Sequence, residues 1–300
     1  MKKLNLLIIS LTLLGFQVQG QQINSFTTND GEILYFTSVA KGPKIIFLFG
    51  GPGYDVKGMK PWADSLSRDF EGILFDQRGT GLSSNVKMDS TTINLERAVQ
   101  DLDDLRKNLG EEKLTICGIS WGGMLAQAYA SIFPNNTEKI VLVNPGGPDM
   151  SLFSIIFNDN LPKRRYSAEE DSLKYWNDQP DNERSILMRM VYFFLPYFYD
   201  HDIGIKVLPQ LLSSSWTSND KMYKLMWKDL YKNYNLNLKL SDYKNSCIII
   251  RGRQDVIIAE AVYQIKELLP QTKIITIERC GHFPDLEQPK EFYMILRKVM

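Results

Sequence analysis

The sequence predicts an α/β architecture: a mostly parallel central sheet flanked by helices, with a helical cap inserted after the sixth strand. Three observations carry this. Short apolar runs bounded by glycine or proline alternate with stretches whose apolar residues recur at helical spacing. That alternation stops at about residue 149 and resumes at about 242, so the chain divides into 21–148 and 242–300 as two parts of one core, with 149–241 as the cap. A Gly118-Ile119-Ser120-Trp121-Gly122 element joins one apolar run directly to a helical pattern.

The elements follow in order. Residues 1–20 carry Lys2-Lys3, an apolar stretch from Leu4 to Phe16 and a small-residue pattern at Val18-Gln19-Gly20, which reads as a signal peptide and predicts export to a periplasm or beyond. The apolar stretch is short for a membrane span, so no stable membrane insertion is expected after cleavage. Ile23 to Thr28 and Ile33 to Val39 flank Asn29-Asp30-Gly31, a strong hairpin signal. Lys44 to Phe49 reads as a strand buried on both faces and runs into Gly50-Gly51-Pro52-Gly53. Lys60 to Asp69 is a helix, and Gly72 to Phe75 is a strand ending in Asp76-Gln77-Arg78-Gly79. Leu95 to Leu109 is an amphipathic helix closed by Gly110. Leu114 to Cys117 and Lys139 to Val143 are further strands, with a helix from Met124 to Phe133 between them. The cap holds aromatic-rich helical stretches, notably Ser185 to Phe198 and Lys221 to Tyr234, in which Met188, Val191, Tyr192 and Leu195 mark a core-facing side. Cys247 to Ile250 and Lys273 to Ile277 are the last strands, with helices over Ala259 to Leu269 and Pro289 to Met300.

Composition excludes several classes. At 44% hydrophobic and 23% charged residues the chain is ordinarily globular. Without residues 1–20 it carries 33 basic and 35 acidic residues, a net charge of −2, which gives no reason to expect a nucleic-acid partner. Cys117, Cys247 and Cys280 are read as buried small hydrophobes rather than a disulfide framework, and no Cys/His cluster has metal-ligand spacing.

The chemistry centres on Ser120. A serine on a very sharp strand-to-helix turn is strained, and side chains two positions away on either side collide with it; Gly118 and Gly122 remove them. A hydroxyl is a weak nucleophile and needs a base oriented by an acid. His282, in the loop after the last strand, is the base candidate. His201, among Tyr199, Asp200 and Asp202, is read as a surface or locally bonded residue. Asp255, after the penultimate strand, is the acid candidate, with Asp149 as a rival whose default is a first-turn helix aspartate. The backbone N–H groups of Trp121 and Gly51 are placed to stabilise an oxyanion.

Phe49-Gly50-Gly51-Pro52-Gly53, Asp76-Gln77-Arg78-Gly79-Thr80-Gly81-Leu82-Ser83, Gly118-Ile119-Ser120-Trp121-Gly122-Gly123, Arg253-Gln254-Asp255 and Gly281-His282-Phe283 together resemble the α/β-hydrolase superfamily, and within it the proline iminopeptidase family of serine peptidases. The resemblance implies Ser120, Asp255 and His282 as a catalytic triad and Gly51 and Trp121 as oxyanion donors. It implies no cofactor, and a small peptide as substrate, with an ester or C–C bond hydrolase and a non-enzymatic ligand receptor as the alternatives. Two departures stand out. Phe49 occupies the position where the family usually has histidine, and the family's ammonium-reading cap glutamates have no clear match. Glu169, Glu170 and Glu183 are the candidates, each with a solvated helix face as its default reading.

Overall fold

The computed structural model describes residues 21–300; the segment read as a signal peptide lies outside the described residues. Eight strands form one sheet: β1 (Gln22–Thr27), β2 (Ile33–Val39), β3 (Lys44–Leu48), β4 (Glu71–Phe75), β5 (Leu114–Ile119), β6 (Thr137–Val143), β7 (Ser246–Gly252) and β8 (Lys273–Ile277). Their spatial order is β1-β2-β4-β3-β5-β6-β7-β8. The β1–β2 and β2–β4 pairs are antiparallel and every other pair is parallel. The chain steps from β3 outward to β4, then crosses back to place β5 on the other side of β3. Loops after β3 and β5 therefore diverge at one edge of the sheet, the position where open α/β sheets form their clefts.

The period-2 alternation of side chains splits the core between the two faces. Ile46, Leu48, Ile116, Ile140, Leu142 and Ile249 pack toward helices α1 (Leu95–Asn108), α2 (Trp121–Ile132) and α3 (Ala259–Leu268). Ile45, Phe47, Cys117, Val141, Val143 and Ile250 point the other way, toward the helices Lys60–Leu66 and Pro289–Val299, where Trp62 and Phe292 meet with ring centroids 4.6 Å apart. Each of these strands is covered on both sides, which is why its sequence reads as a continuous apolar run. The three cysteines are free and buried as expected; burial pushes the Cys247 thiol up to about 12 and raises the other two further.

Between β6 and β7 the described chain is helical, with main helices over Ser167–Asn177, Glu183–Phe194, His201–Ser214 and Asp220–Asn233. The expected single helix from Ser185 to Phe198 stops at Phe194, and a tight turn, Leu195–Tyr197, follows. Pro196, which has no N–H to continue the ladder, sits in that turn. The turn brings Tyr197 and Phe198 down onto the sheet edge. Val191 and Leu195 are fully buried as read, whereas Met188 and Tyr192 are only partly so.

A second anchor joins the hairpin to the core. Arg78, 4% exposed, forks between Asp30 in the β1–β2 turn (2.8 and 2.9 Å) and Asp101 on α1 (2.9 Å from Nε). Asp30 is thus more than a turn former. The Arg78 guanidinium holds its carboxyl down at about 2. A carboxyl depressed in the folded state adds stability above its ordinary value of 3.8 and loses it as pH falls toward about 2. Asp30→Asn should therefore lower the urea midpoint at neutral pH, with the gap to wild type closing as pH falls through that window. The native protein should also expose no thiol to a thiol reagent, and all three after denaturation.

Candidate active site

Ser120 joins β5 to α2 with φ 56° and ψ −119°, a conformation costly for a non-glycine residue. The surrounding backbone enforces it. Ser120 N–H donates to the Val143 carbonyl at 3.0 Å, and the Ser120 carbonyl accepts from Met124 N–H at 3.1 Å. A Cβ at Gly118 would stand 2.3 Å from the Gly122 carbonyl oxygen, and one at Gly122 would stand 2.1 Å from that of Leu48. Both glycines are required by contact. The turn places Ser120 at the N-terminus of α2, where free N–H groups and the helix dipole favour negative charge.

The loop after β3 comes to meet it. A Cβ at Gly50 would lie 3.2 Å from the Ser120 Cβ, and Gly51 has φ 120°. Gln77 locks this loop to the elbow: its Nε2 donates to the Phe49 carbonyl at 3.1 Å while its Oε1 accepts from the Trp121 indole at 2.8 Å. Among the described residues, neither the Gly51 nor the Trp121 N–H donates to a protein acceptor. Two unspent donors thus flank the serine.

His282 and Asp255 come from the loops after β8 and β7. They are 3% and 9% exposed, and Nδ1 of the imidazole lies 2.7 Å from Asp255 Oδ1. An ionised carboxylate can only accept, so the Nδ1 atom carries the proton and Nε2 is left as an acceptor. Asp255 Oδ1 also accepts from Ile257 N–H at 3.2 Å. Ser120 and His282 line the same chamber. Among the described residues no hydrogen bond joins them; in unliganded sites such bonds are often long and tighten when substrate arrives. All five residues proposed from sequence, Gly51, Ser120, Trp121, Asp255 and His282, gather at one edge of the sheet.

Several residues that hold this arrangement had no role in the sequence reading. Asn144, with φ 44°, donates through Nδ2 to the carbonyls of Gly281 (3.2 Å) and His282 (2.9 Å) and accepts from Gly252 N–H at 2.9 Å. Its place just after β6, at a backbone conformation asparagine tolerates, was the available signal. Glu287 accepts from Gly281 N–H at 2.8 Å, Tyr199 N–H at 2.7 Å and Asp200 N–H at 3.2 Å. Burial pushes its carboxyl up to about 7 despite these donors.

The chamber is walled mainly by aromatic rings, among them Phe49, Tyr54, Phe194, Tyr197, Trp216 and Phe283. Trp216 bridges core and cap, with ring centroids 5.7 Å from Phe49, 5.8 Å from Phe194 and 4.9 Å from Phe283. Among the described residues no carboxylate lines it. Glu169 corrects the sequence reading: it is buried, not solvated, and its Oε1 lies 2.7 Å from Nδ1 of His201, which is also buried rather than on the surface. Glu170 and Glu183 are exposed as expected. Asp149 accepts from Ser151 N–H and Asn237 Nδ2, so the rival acid braces the cap instead.

The fold and the elbow agree with a match over residues 43–289 to the family model described as the alpha/beta hydrolase fold. The chain belongs to the α/β-hydrolase family. Within it, this hydrolase resembles a proline iminopeptidase of Heyndrickxia coagulans, at 26% identity over 85% of this chain and 89% of the relative. It also resembles a protein named "Probable aminopeptidase YbaC" of Bacillus subtilis, at 25% identity over 88% and 91%. Among solved structures, an α/β-fold hydrolase from Bacillus anthracis matches with a TM-score of 0.75 at 20% identity, covering 93% of this chain and 99% of that one. The enol-lactonase from Burkholderia xenovorans LB400 matches at 0.70 and 16%, over 92% and 98%. These likenesses support the fold of the hydrolase and its place near the iminopeptidases.

Gln77→Leu should leave the Trp121 indole N–H buried without a partner. The expected loss of stability is about 1–3 kcal/mol, read as a lower denaturant midpoint with unchanged slope.

Proposed function

We propose that this α/β hydrolase is a serine hydrolase that transfers a compact apolar or aromatic acyl group from an uncharged ester or amide to water. The observation that carries the substrate class is the chamber beside Ser120, which is walled by aromatic rings and among the described residues has no lining carboxylate. An ammonium brought into such a space loses its water without a counter-charge, at a cost of several kcal/mol. A neutral ring or alkyl acyl group is instead rewarded by burial, at about 25 cal/mol per Å².

In this reading Ser120 Oγ attacks the carbonyl carbon while His282 Nε2 takes its proton. Asp255 holds the imidazole by Nδ1–H and stabilises the imidazolium. The tetrahedral oxyanion is met by the Gly51 and Trp121 N–H groups, already free of other acceptors and needing no reorganisation. The imidazolium then protonates the leaving group, whose bond to carbon breaks. Water, deprotonated by the same imidazole, releases the acid and restores Ser120. Residues 1–20 support export of the mature chain, on the sequence alone.

A second reading, an aminopeptidase of the iminopeptidase kind that releases an N-terminal residue from short peptides, is favoured by the full-length relatives at 25–26% identity. In that case the aromatic faces must hold the amine by cation–π attraction, at about 0.5–2 kcal/mol each.

A substrate panel separates the two. Aryl esters of aromatic and short alkyl acids, prolyl and alanyl arylamides, and their N-blocked forms are offered to wild type and Ser120→Ala. The first reading predicts turnover of esters and N-blocked amides, with kcat lost by about 10⁴-fold or more in the variant. Turnover confined to free-amine arylamides would overturn it in favour of the second. Gly51→Ala forces a side chain at φ 120°, its Cβ 2.9 Å from Gly53 N, and displaces one oxyanion donor. Its kcat should fall by about 10²–10³-fold.

A further inference from the structure

The segment Tyr197–Asp200, which leads from the turn at the end of helix Glu183–Phe194 into the next cap helix, lies directly against the loop that carries His282. His282 N–H donates to the Tyr197 carbonyl at 2.7 Å. Gly281 is pressed so closely onto the segment that a Cβ there would stand 2.3 Å from the Tyr197 carbonyl oxygen and 2.7 Å from the Tyr199 nitrogen. Tyr197 itself packs edge-on to the imidazole, with centroids 5.4 Å apart, and lines the chamber. One carboxylate spans this junction. Glu287, 6% exposed, takes the Gly281 N–H on Oε1 and the Tyr199 and Asp200 N–H groups on Oε2.

We propose that Glu287 is a positioning residue that, beside the direct His282 N–H bond to the Tyr197 carbonyl, clamps the His282 loop to the cap segment 197–200, so that the imidazole and the Tyr197 wall of the chamber are set at one junction. The proposal rests on the reading of His282 as the base. Its logic is one of donors and acceptors. Three N–H groups arrive from two separate segments, and only an ionised carboxylate offers acceptors on both of its oxygens, so with burial holding this carboxyl at about 7 the clamp is complete above that pH. A glutamine at this position has one acceptor oxygen and one N–H₂. In either orientation its N–H₂ faces a backbone N–H, so either the histidine loop or the cap segment loses its tie to residue 287, and the His282 N–H bond to the Tyr197 carbonyl is left to hold the junction alone. The other holds on the loop, Asn144 on the Gly281 and His282 carbonyls, Gln254 on Cys280 and the Tyr197 carbonyl on the His282 N–H, leave the Gly281 N–H to Glu287 alone.

The test uses Glu287→Gln in the mature chain. The readout is the far-downfield proton resonance of His282 Nδ1–H against Asp255, recorded above pH 7, where the Glu287 carboxyl is ionised, and at temperatures where circular dichroism shows the protein folded. A merely structural role lowers the melting temperature and leaves that resonance in place. The proposal expects it to broaden or vanish in the folded variant, with kcat toward the best panel substrate down by about 100-fold, the scale of a misplacement of about 1 Å. Persistence of the resonance in folded Glu287→Gln overturns the proposal, whatever happens to turnover. If that variant does not fold, Glu287→Asp, which keeps the charge but is too short to span both ties, is judged by the same two outcomes. The resonance is read without substrate, so a wild type that turns over nothing on the panel counts against the hydrolase reading and not against the clamp.

Discussion

The approach of the α2 N-terminus to the end of β3 constrains everything built above the sheet. Gly122 lies so close to the Leu48 carbonyl that no side chain fits between them, and Gly118 is closed in the same way by Gly122. This contact compresses the turn and holds Ser120 at positive φ. It also brings the Gly50–Gly51 loop against the serine, because that loop begins two residues after Leu48. A strained serine and a pair of unspent N–H donors are two consequences of one steric fact. The strain is sustained by the fully buried core on either side, where β3, β5 and β6 are covered by helices on both faces.

Much of this was legible in the sequence because it is local. The strands of the core are continuous apolar runs, and their ends carry glycine where the backbone must turn sharply. The elbow spacing, the order of serine, aspartate and histidine, and the Asn29-Asp30-Gly31 hairpin all depend on residues near one another in the chain. What escaped depends on pairing over long separations. Nothing near Asp30 announces Arg78 as its partner, and nothing near Glu287 announces the backbone of Tyr199. Glu169 and His201 read as polar residues on exposed elements, yet each is buried because the other satisfies it. The end of the cap helix at Phe194 rather than Phe198 turned on Pro196, a local signal that the aromatic periodicity obscured.

The chamber carries the functional distinction. Phe49 stands where the resemblance to the iminopeptidases implies histidine, and its ring joins Tyr54 and Trp216 in an apolar wall. With Phe194 and Phe283 packed on the same Trp216 ring, core and cap share one aromatic cluster. Membership in the family thus fixes the scaffold, while the aromatic wall is the surface that the proposed neutral acyl group would meet. The same cluster ties the chamber wall to the His282 loop, since Phe283 follows His282 directly and Tyr197 packs against both rings.

The central claim is that Ser120 is a nucleophile activated by His282. It is tested most directly by exposing the protein to an aryl fluorophosphonate and locating the adduct by intact-mass and peptide mass spectrometry. The account predicts a single adduct, on Ser120, absent in Ser120→Ala and formed far more slowly in His282→Ala. A protein that stays unmodified, or an adduct on another residue with Ser120 untouched, would contradict it.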